Sequence, residues 1–342
     1  MKALVLRGPG DLVVADVERP RARPHEVLVR VTHSGICGTD LKIFTGGMPA
    51  PYPVIMGHEI SGEVIDADNG ADSRSSDRVL VDPVLYCGTC AACRAGRTNL
   101  CPTGGIIGRE VNGGFAEYVV APRSHVYPLP PSIDRQTAPL IQVLTTCLHA
   151  QRRANVSQGQ SVAVIGLGVS GQLHVQLAKA RGAAPTIGIT RSAWKRTLAE
   201  QLGANLTTSS DTGIQAVRDA TNGHGADIVI ESTGHIPSLA DAIAMVRPGG
   251  TIILFGIYTA SEGSLPFYQL YYKEPTIVSA RAATGEDFPD SIDLVARGAV
   301  TLRPLVTQVL PLSDLRKALS MLERDVDGRM KVILEHPSEA GQ

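Results

Sequence analysis

The chain has 342 residues, of which 43% are hydrophobic and 19% charged, and its net charge is −1. That balance describes a globular protein with ample core and about two domains by length. It leaves no electrostatic footprint for nucleic acid or a membrane surface, and no apolar run approaches the ~20 residues needed to span a bilayer. Met1 opens directly onto a strand-like KALVLR with no charged-then-apolar leader, so the expected compartment is the reducing cytoplasm.

From residue 1 to about 150, short β-type runs (ALVLR, EVLVRVTHSGI, EISGEVIDA, RVLVDPV, FAEYVVAP) alternate with Pro/Gly turns, the pattern of a β-rich domain built from non-local pairings. Within it, Cys37-Gly-Thr39-Asp40 and Gly57-His58-Glu59 offer a thiolate, an imidazole and a carboxylate. These are zinc ligand types, and three protein ligands plus water is the catalytic format. Taken singly, Cys37 also reads as a buried hydrophobe and His58 as a core histidine. The stretch 68–78 (DNGADSRSSDR) is a polar loop with no chemistry assigned.

Cys87, Cys90, Cys93 and Cys101 follow in a C-x2-C-x2-C-x7-C spacing. Thiols at that spacing converge on one point only from a knuckle-like turn, and the fourth closes a tetrahedron of sulfurs around Zn²⁺. Such a site has no open position, so it is structural. A disulfide pair fits poorly with a reducing compartment, and iron–sulfur clusters use the same ligand type at other spacings.

From about 157 the texture changes. Strands SVAVIG, PTIGIT, ADIVIEST, GTIILFG and PTIVSA alternate with helices such as VSGQLHVQLAKARG, SAWKRTLAEQLG, 211–222 and PSLADAIAMV, which predicts βαβ units and a parallel sheet. Gly166-Leu-Gly168-Val-Ser-Gly171 directly follows the first strand and opens a helix, the context that makes GxGxxG a dinucleotide signal. The pyrophosphate then meets the N–H groups of a helix N-terminus. About 20 residues on, an acidic residue would hold the ribose diol of NAD. Thr190 stands there instead, followed by Arg191 and Ser192, with Lys195 one turn into the next helix. No carboxylate repels a 2′-phosphate, so NADP(H) is favoured over NAD(H), unless Arg191 is only a solvated surface residue. The last part carries two helical segments around a strand-like TQVL and ends at RMKVIL. It cannot complete the nucleotide-type sheet and is expected to fold back onto the first domain. The tail after Leu334 is polar.

The order of Cys-Gly-Thr-Asp, GHE, the four-cysteine lobe, Gly113-Gly114-Phe-Ala-Glu117-Tyr118 and the late GxGxxG resembles the zinc-dependent medium-chain dehydrogenase/reductase family, near its sorbitol and threonine dehydrogenase branches. The resemblance covers nearly the whole chain. It implies an α/β protein with a GroES-like β-rich catalytic domain over 1–152 (zinc lobe about 85–103) and a Rossmann doubly wound parallel sheet over 153–286. The segment 287–342 would return to the catalytic domain. It further implies Cys37 and His58 as ligands of a catalytic zinc beside the structural one, with Glu59 either ligating that zinc or swinging in when water leaves. Thr39 would relay the alcohol proton and Asp40 orient His58. Thr146 would pack on the nicotinamide, and Lys331 would reach the cofactor pyrophosphate.

Three departures stand out. Gln142 replaces a Cys or Glu that relatives use near the zinc. Lys42 replaces the histidine that ends the proton relay in many of them. Ala282 and Ala283 replace the polyol-binding arginine and tyrosine of the sorbitol branch. Cys147 reads as packing rather than a substitute ligand. The expected activity is hydride transfer between a secondary alcohol, polyol or sugar-like alcohol, or the matching ketone, and a nicotinamide cofactor. The partner is a small-molecule alcohol or ketone, with a homodimer or homotetramer as the assembly. The rival readings are an NADPH-dependent carbonyl reductase without catalytic metal and a non-catalytic NADP(H)-binding sensor.

Overall fold

Residues 1–67, 78–323 and 328–337 are described by the structure, a computed structural model. All of the polar loop 68–78 except Arg78, and the end of the C-terminal tail, lie outside the described residues. The chain forms two units, one of residues 1–143, 284–296 and 306–342, the other of 144–283 and 297–305. The first boundary falls inside the helix Leu140–Arg153 rather than at 152, because Ala150 on that helix belongs to the second unit's core. The second falls at 283, and residues 297–305 return to the second unit.

The first unit is built on a seven-stranded sheet. Its order is Val126–Pro128, Arg78–Val81, Glu59–Ala67, Glu26–Gly35, Lys331–Glu335 and Val306–Pro311, with Tyr118–Pro122 also paired to Glu26–Gly35. Alternation along the strands puts Val27, Val29 and Val31 on one face with Ile60, Val64, Val79, Val81 and Val119. A second core joins Leu4, Leu6, Ile43, Met56 and Phe115 to Leu315, Leu319, Val332 and Leu334, so the C-terminal residues complete the first unit. Register then decides what meets what. Gly35 pairs with Glu59 on one side and with Ile333 on the other, which brings the GHE strand and the last strand to the same point.

In the second unit six parallel strands run in the order Leu206–Thr208, Thr186–Ile189, Val162–Ile165, Ala226–Glu231, Val246–Leu254, Thr276–Ser279. Numbered along the chain this is 3-2-1-4-5-6, the doubly wound order with its switch point between the first and fourth strands. Successive residues serve opposite cores. Val162, Val164, Ile228 and Ile230 pack on one face, and Ala163, Ile165 and Val229 on the other. Burial on both faces is why these strands read as continuous apolar runs.

Candidate functional site

Cys37 lies two residues past the strand Glu26–Gly35 and caps the helix Gly38–Phe44. Its N–H donates to Asp40 Oδ2 at 2.8 Å, which ties the start of the helix to a fully buried carboxylate. The other oxygen of Asp40 stands 3.4 Å from His58 Nδ1, leaving Nε2 as the ring nitrogen to offer a metal. Ligand atoms of Cys37, His58 and Glu59 all lie within 4.8 Å of one another. Burial works against ionising the Cys37 thiol, but the adjacent His58 outweighs it and holds the thiol below its usual range. Burial likewise works against a charged His58, yet Asp40 and Cys37 together raise it well above its usual value.

Glu59 is fully buried, with the Lys331 ammonium against its carboxylate. A soft thiolate, an imidazole and a carboxylate oxygen converging out of water form a donor set that fits Zn²⁺. Lys331, expected to reach the cofactor pyrophosphate, is paired with Glu59. Its ammonium, 4% exposed, lies 2.5 Å from the Glu59 carboxylate and donates to the Ile36 carbonyl at 2.8 Å. This pairing escaped sequence reasoning, and the only available signal was a lysine heading an otherwise apolar strand. Thr39 and Lys42 are half-buried on the same helix, and Gln142 is buried.

The four remaining clustered cysteines also meet, their sulfurs within 4.8 Å of one another and none in a disulfide. Backbone and hydroxyl donors at Thr89, with the Cys90 N–H, bring the Cys87 thiol down to about 5. Desolvation, then the neighbouring thiols, push Cys93 up to about 12. Crowded thiols that cannot all ionise together are what a divalent cation relieves. Cys147 is fully buried in the second unit, and its thiol donates to the Ser170 carbonyl at 3.7 Å, a packing position.

In the second unit the Gly-rich turn sits where the first strand ends. Gly166 has φ +88°, and a Cβ on Gly171 would stand 1.9 Å from the Gly166 carbonyl oxygen. Gly168 caps the helix Val169–Ala180, and a Cβ there would meet nothing within 4 Å, leaving room for a phosphate at the helix N-terminus. At the end of the second strand, Arg191 is exposed. The Ser192 hydroxyl, at the start of helix Ala193–Leu202, is buried with no partner. An orphaned hydroxyl beside a guanidinium fits a polar, anionic ligand. Arg196, which the sequence reading did not single out, donates to the carbonyls of Thr190 and Arg191, at 2.9 Å each, and fixes this turn. Lys195 lies over the Trp194 ring at 5.6 Å. Thr146 is half-buried on helix Leu140–Arg153.

Residues 23–131 match the model of the alcohol dehydrogenase GroES-like domain, and 170–297 that of the zinc-binding dehydrogenase domain. The chain is 34% identical to L-galactonate-5-dehydrogenase of Escherichia coli K12, over 97% of both chains. It belongs to the zinc-type medium-chain alcohol dehydrogenase family. Among solved structures it resembles a zinc-binding dehydrogenase from Sinorhizobium meliloti 1021 bound to NADP (TM-score 0.92, 32% identity, 98% of each chain). It also resembles an alcohol dehydrogenase from E. coli CFT073 complexed with NADH (TM-score 0.91, 29% identity, covering 98% of this chain and 99% of that one). Like these zinc-type dehydrogenases, the protein is an oxidoreductase acting on CH–OH groups with a nicotinamide cofactor. No described helix is long and apolar enough to cross a membrane.

Proposed function

We propose that this dehydrogenase carries two zinc ions per chain and interconverts a secondary alcohol, of polyol or sugar-like type, and its ketone, with NADP(H) preferred over NAD(H). The convergence of Cys37, His58 and Glu59 carries the catalytic assignment. When bound, zinc supplies Lewis acidity at the substrate oxygen, and the nicotinamide takes or gives the hydride. The chain's own part is to hold that chemistry in place. Asp40 fixes the tautomer and direction of His58, Thr39 offers the hydroxyl that passes a proton outward, and Lys331 balances the charge on Glu59. The name of the E. coli relative, a dehydrogenase of a sugar acid, supports the substrate class. A homodimer or homotetramer is the assembly we propose, on the exposed Phe267, Tyr268, Tyr271 and Tyr272.

The relatives bind either cofactor, so the preference rests on Thr190, Arg191 and Ser192. A guanidinium on a 2′-phosphate contributes roughly 1.5–3 kcal/mol, which is about ten- to hundredfold in affinity. Arg191→Ala should raise the KM for NADP(H) by that order and leave NAD(H) nearly unchanged. Steady-state kinetics on a panel of secondary alcohols and polyols, with both cofactors, checks this. Wild-type efficiency on NAD(H) equal to or better than on NADP(H) would reject the preference. An undiminished rate after chelation of the labile metal would favour the metal-free carbonyl reductase.

A further inference from the structure

Glu231 closes the fourth strand of the second unit and pairs in register with Ile165 at the end of the first, so it stands at the switch point of the sheet. Its side chain is fully buried. A buried carboxylate at that point invites assignment as a cofactor ligand, but its acceptor positions are already filled. Oε1 accepts from the Thr233 N–H at 2.8 Å and from the Thr233 hydroxyl, and Oε2 from the Gly234 N–H at 2.9 Å and the Tyr258 hydroxyl at 2.6 Å. A carboxylate offers about four such positions. Its backbone carbonyl accepts from the N–H groups of Phe255 and Gly256, both at 2.9 Å.

These bonds join two turns at the carboxyl ends of adjacent strands, and a third packs against them. The turn 231–234 is tied to the turn 255–258 through Tyr258, and the two backbones touch, since a Cβ on Gly256 would stand 2.0 Å from the Gly234 nitrogen. The Gly-rich turn rests on the same knot, because a Cβ on Gly166 would stand 2.5 Å from Thr233 Cγ2. Burial holds the Tyr258 phenol far above its usual value, with Glu231 adding to the shift, so it remains a donor at any working pH.

We propose that Glu231, with Tyr258, is a positioning residue for the dinucleotide. It touches no cofactor atom but fixes the floor of the crevice on the side of the fourth and fifth strands. The adenosine end, at Thr190–Ser192 just after the second strand, lies on the other side of the switch point and should be independent of it. The inference rests on the dinucleotide crevice and not on the choice between NADP(H) and NAD(H).

The test compares Tyr258→Phe and Glu231→Gln with the wild-type full chain, titrating NADPH, NADH and AMP. In Tyr258→Phe, loss of one hydrogen bond to a carboxylate should weaken both dinucleotides by about tenfold and by the same factor. AMP affinity should be unchanged. The cofactor KM should rise while kcat at saturating cofactor and the alcohol KM stay within about twofold, a split that general loosening of the domain would not produce. Glu231→Gln, which sets an amide donor among four donors, should do more. If that variant fails to fold, Tyr258→Phe still decides. A folded Tyr258→Phe with unchanged dinucleotide affinity, or with AMP weakened in parallel, would overturn the proposal.

Discussion

Lys331 and Glu59 lie 2.5 Å apart with 4% and 0% of their side chains exposed. Removing one partner of so deeply buried a pair leaves an uncompensated charge, which costs about 3–5 kcal/mol. Lys331→Met should therefore lower the thermal midpoint of the metal-free protein sharply. Zinc should restore part of the loss, because a cation among Cys37, His58 and Glu59 meets the same charge. The double variant Lys331→Met, Glu59→Gln should recover most of it. Calorimetry with and without zinc reads all three results, and a double variant no more stable than the single one would mean that the lysine acts by packing alone. At this scale Cys37, His58 and Glu59 could be picked out in the sequence as zinc ligand types, and the family resemblance added Asp40 as the partner of His58. The lysine's pairing could not be read there, since its partner is 272 positions away and only strand register joins them.

The four-cysteine lobe is held by a short local framework. The N–H groups of Cys90, Cys93 and Cys87 donate to the sulfurs of Cys87, Cys90 and Cys101 at 3.3, 3.4 and 3.4 Å. Its helix, Ala91–Arg94, is only four residues long and contains no buried residue, so apolar packing does little to hold it. On the proposed two-zinc reading, metal would supply most of the order. Cys93→Ser should release about one zinc per chain and lower the thermal midpoint while Cys37 and His58 stay intact. Metal analysis alongside a melting curve checks this, and unchanged zinc with an unchanged midpoint would count against it. The same contrast between elements explains what else could be read in advance. Val162–Ile165 announces itself as an unbroken apolar run, and Ala226–Glu231 carries the apolar run Ile228–Ile230. The strand Leu206–Thr208 went unread because it is three residues long and partly exposed at the sheet edge. The helix Phe267–Lys273 went unread because it has no buried residue and thus no apolar stripe to reveal its period.

For the molecule as a whole, that last helix matters most. Phe267, Tyr268, Tyr271 and Tyr272 are 68%, 75%, 80% and 69% exposed. They precede Thr276–Ser279, the edge strand of the six-stranded sheet, where Ile277 is 45% exposed. Lys273 donates to the carbonyls of Ile243, Ala244 and Val246 at 2.8–2.9 Å and so fixes the helix to its unit. Aromatic side chains bury about 150–250 Å² each at an interface, and an open strand edge is a template for pairing. Light scattering should give twice or four times the 36.1 kDa chain mass, and Tyr271→Glu with Ile277→Lys should reduce it to one chain. A wild-type monomer at micromolar concentration would refute the assembly.

The distance along the chain between Glu59 and Lys331 also sets an order of events at birth. A ribosome adding about 5–20 residues per second exposes Glu59 on the order of tens of seconds before Lys331 appears. Until then the carboxylate has no counter-charge and stays in water, and the strand that carries it cannot be sealed. The lobe's ligands span only Cys87 to Cys101 and are complete as soon as that stretch emerges. The lobe can therefore close while the chain is still being made, whereas the buried Glu59–Lys331 pair must wait for the last strand.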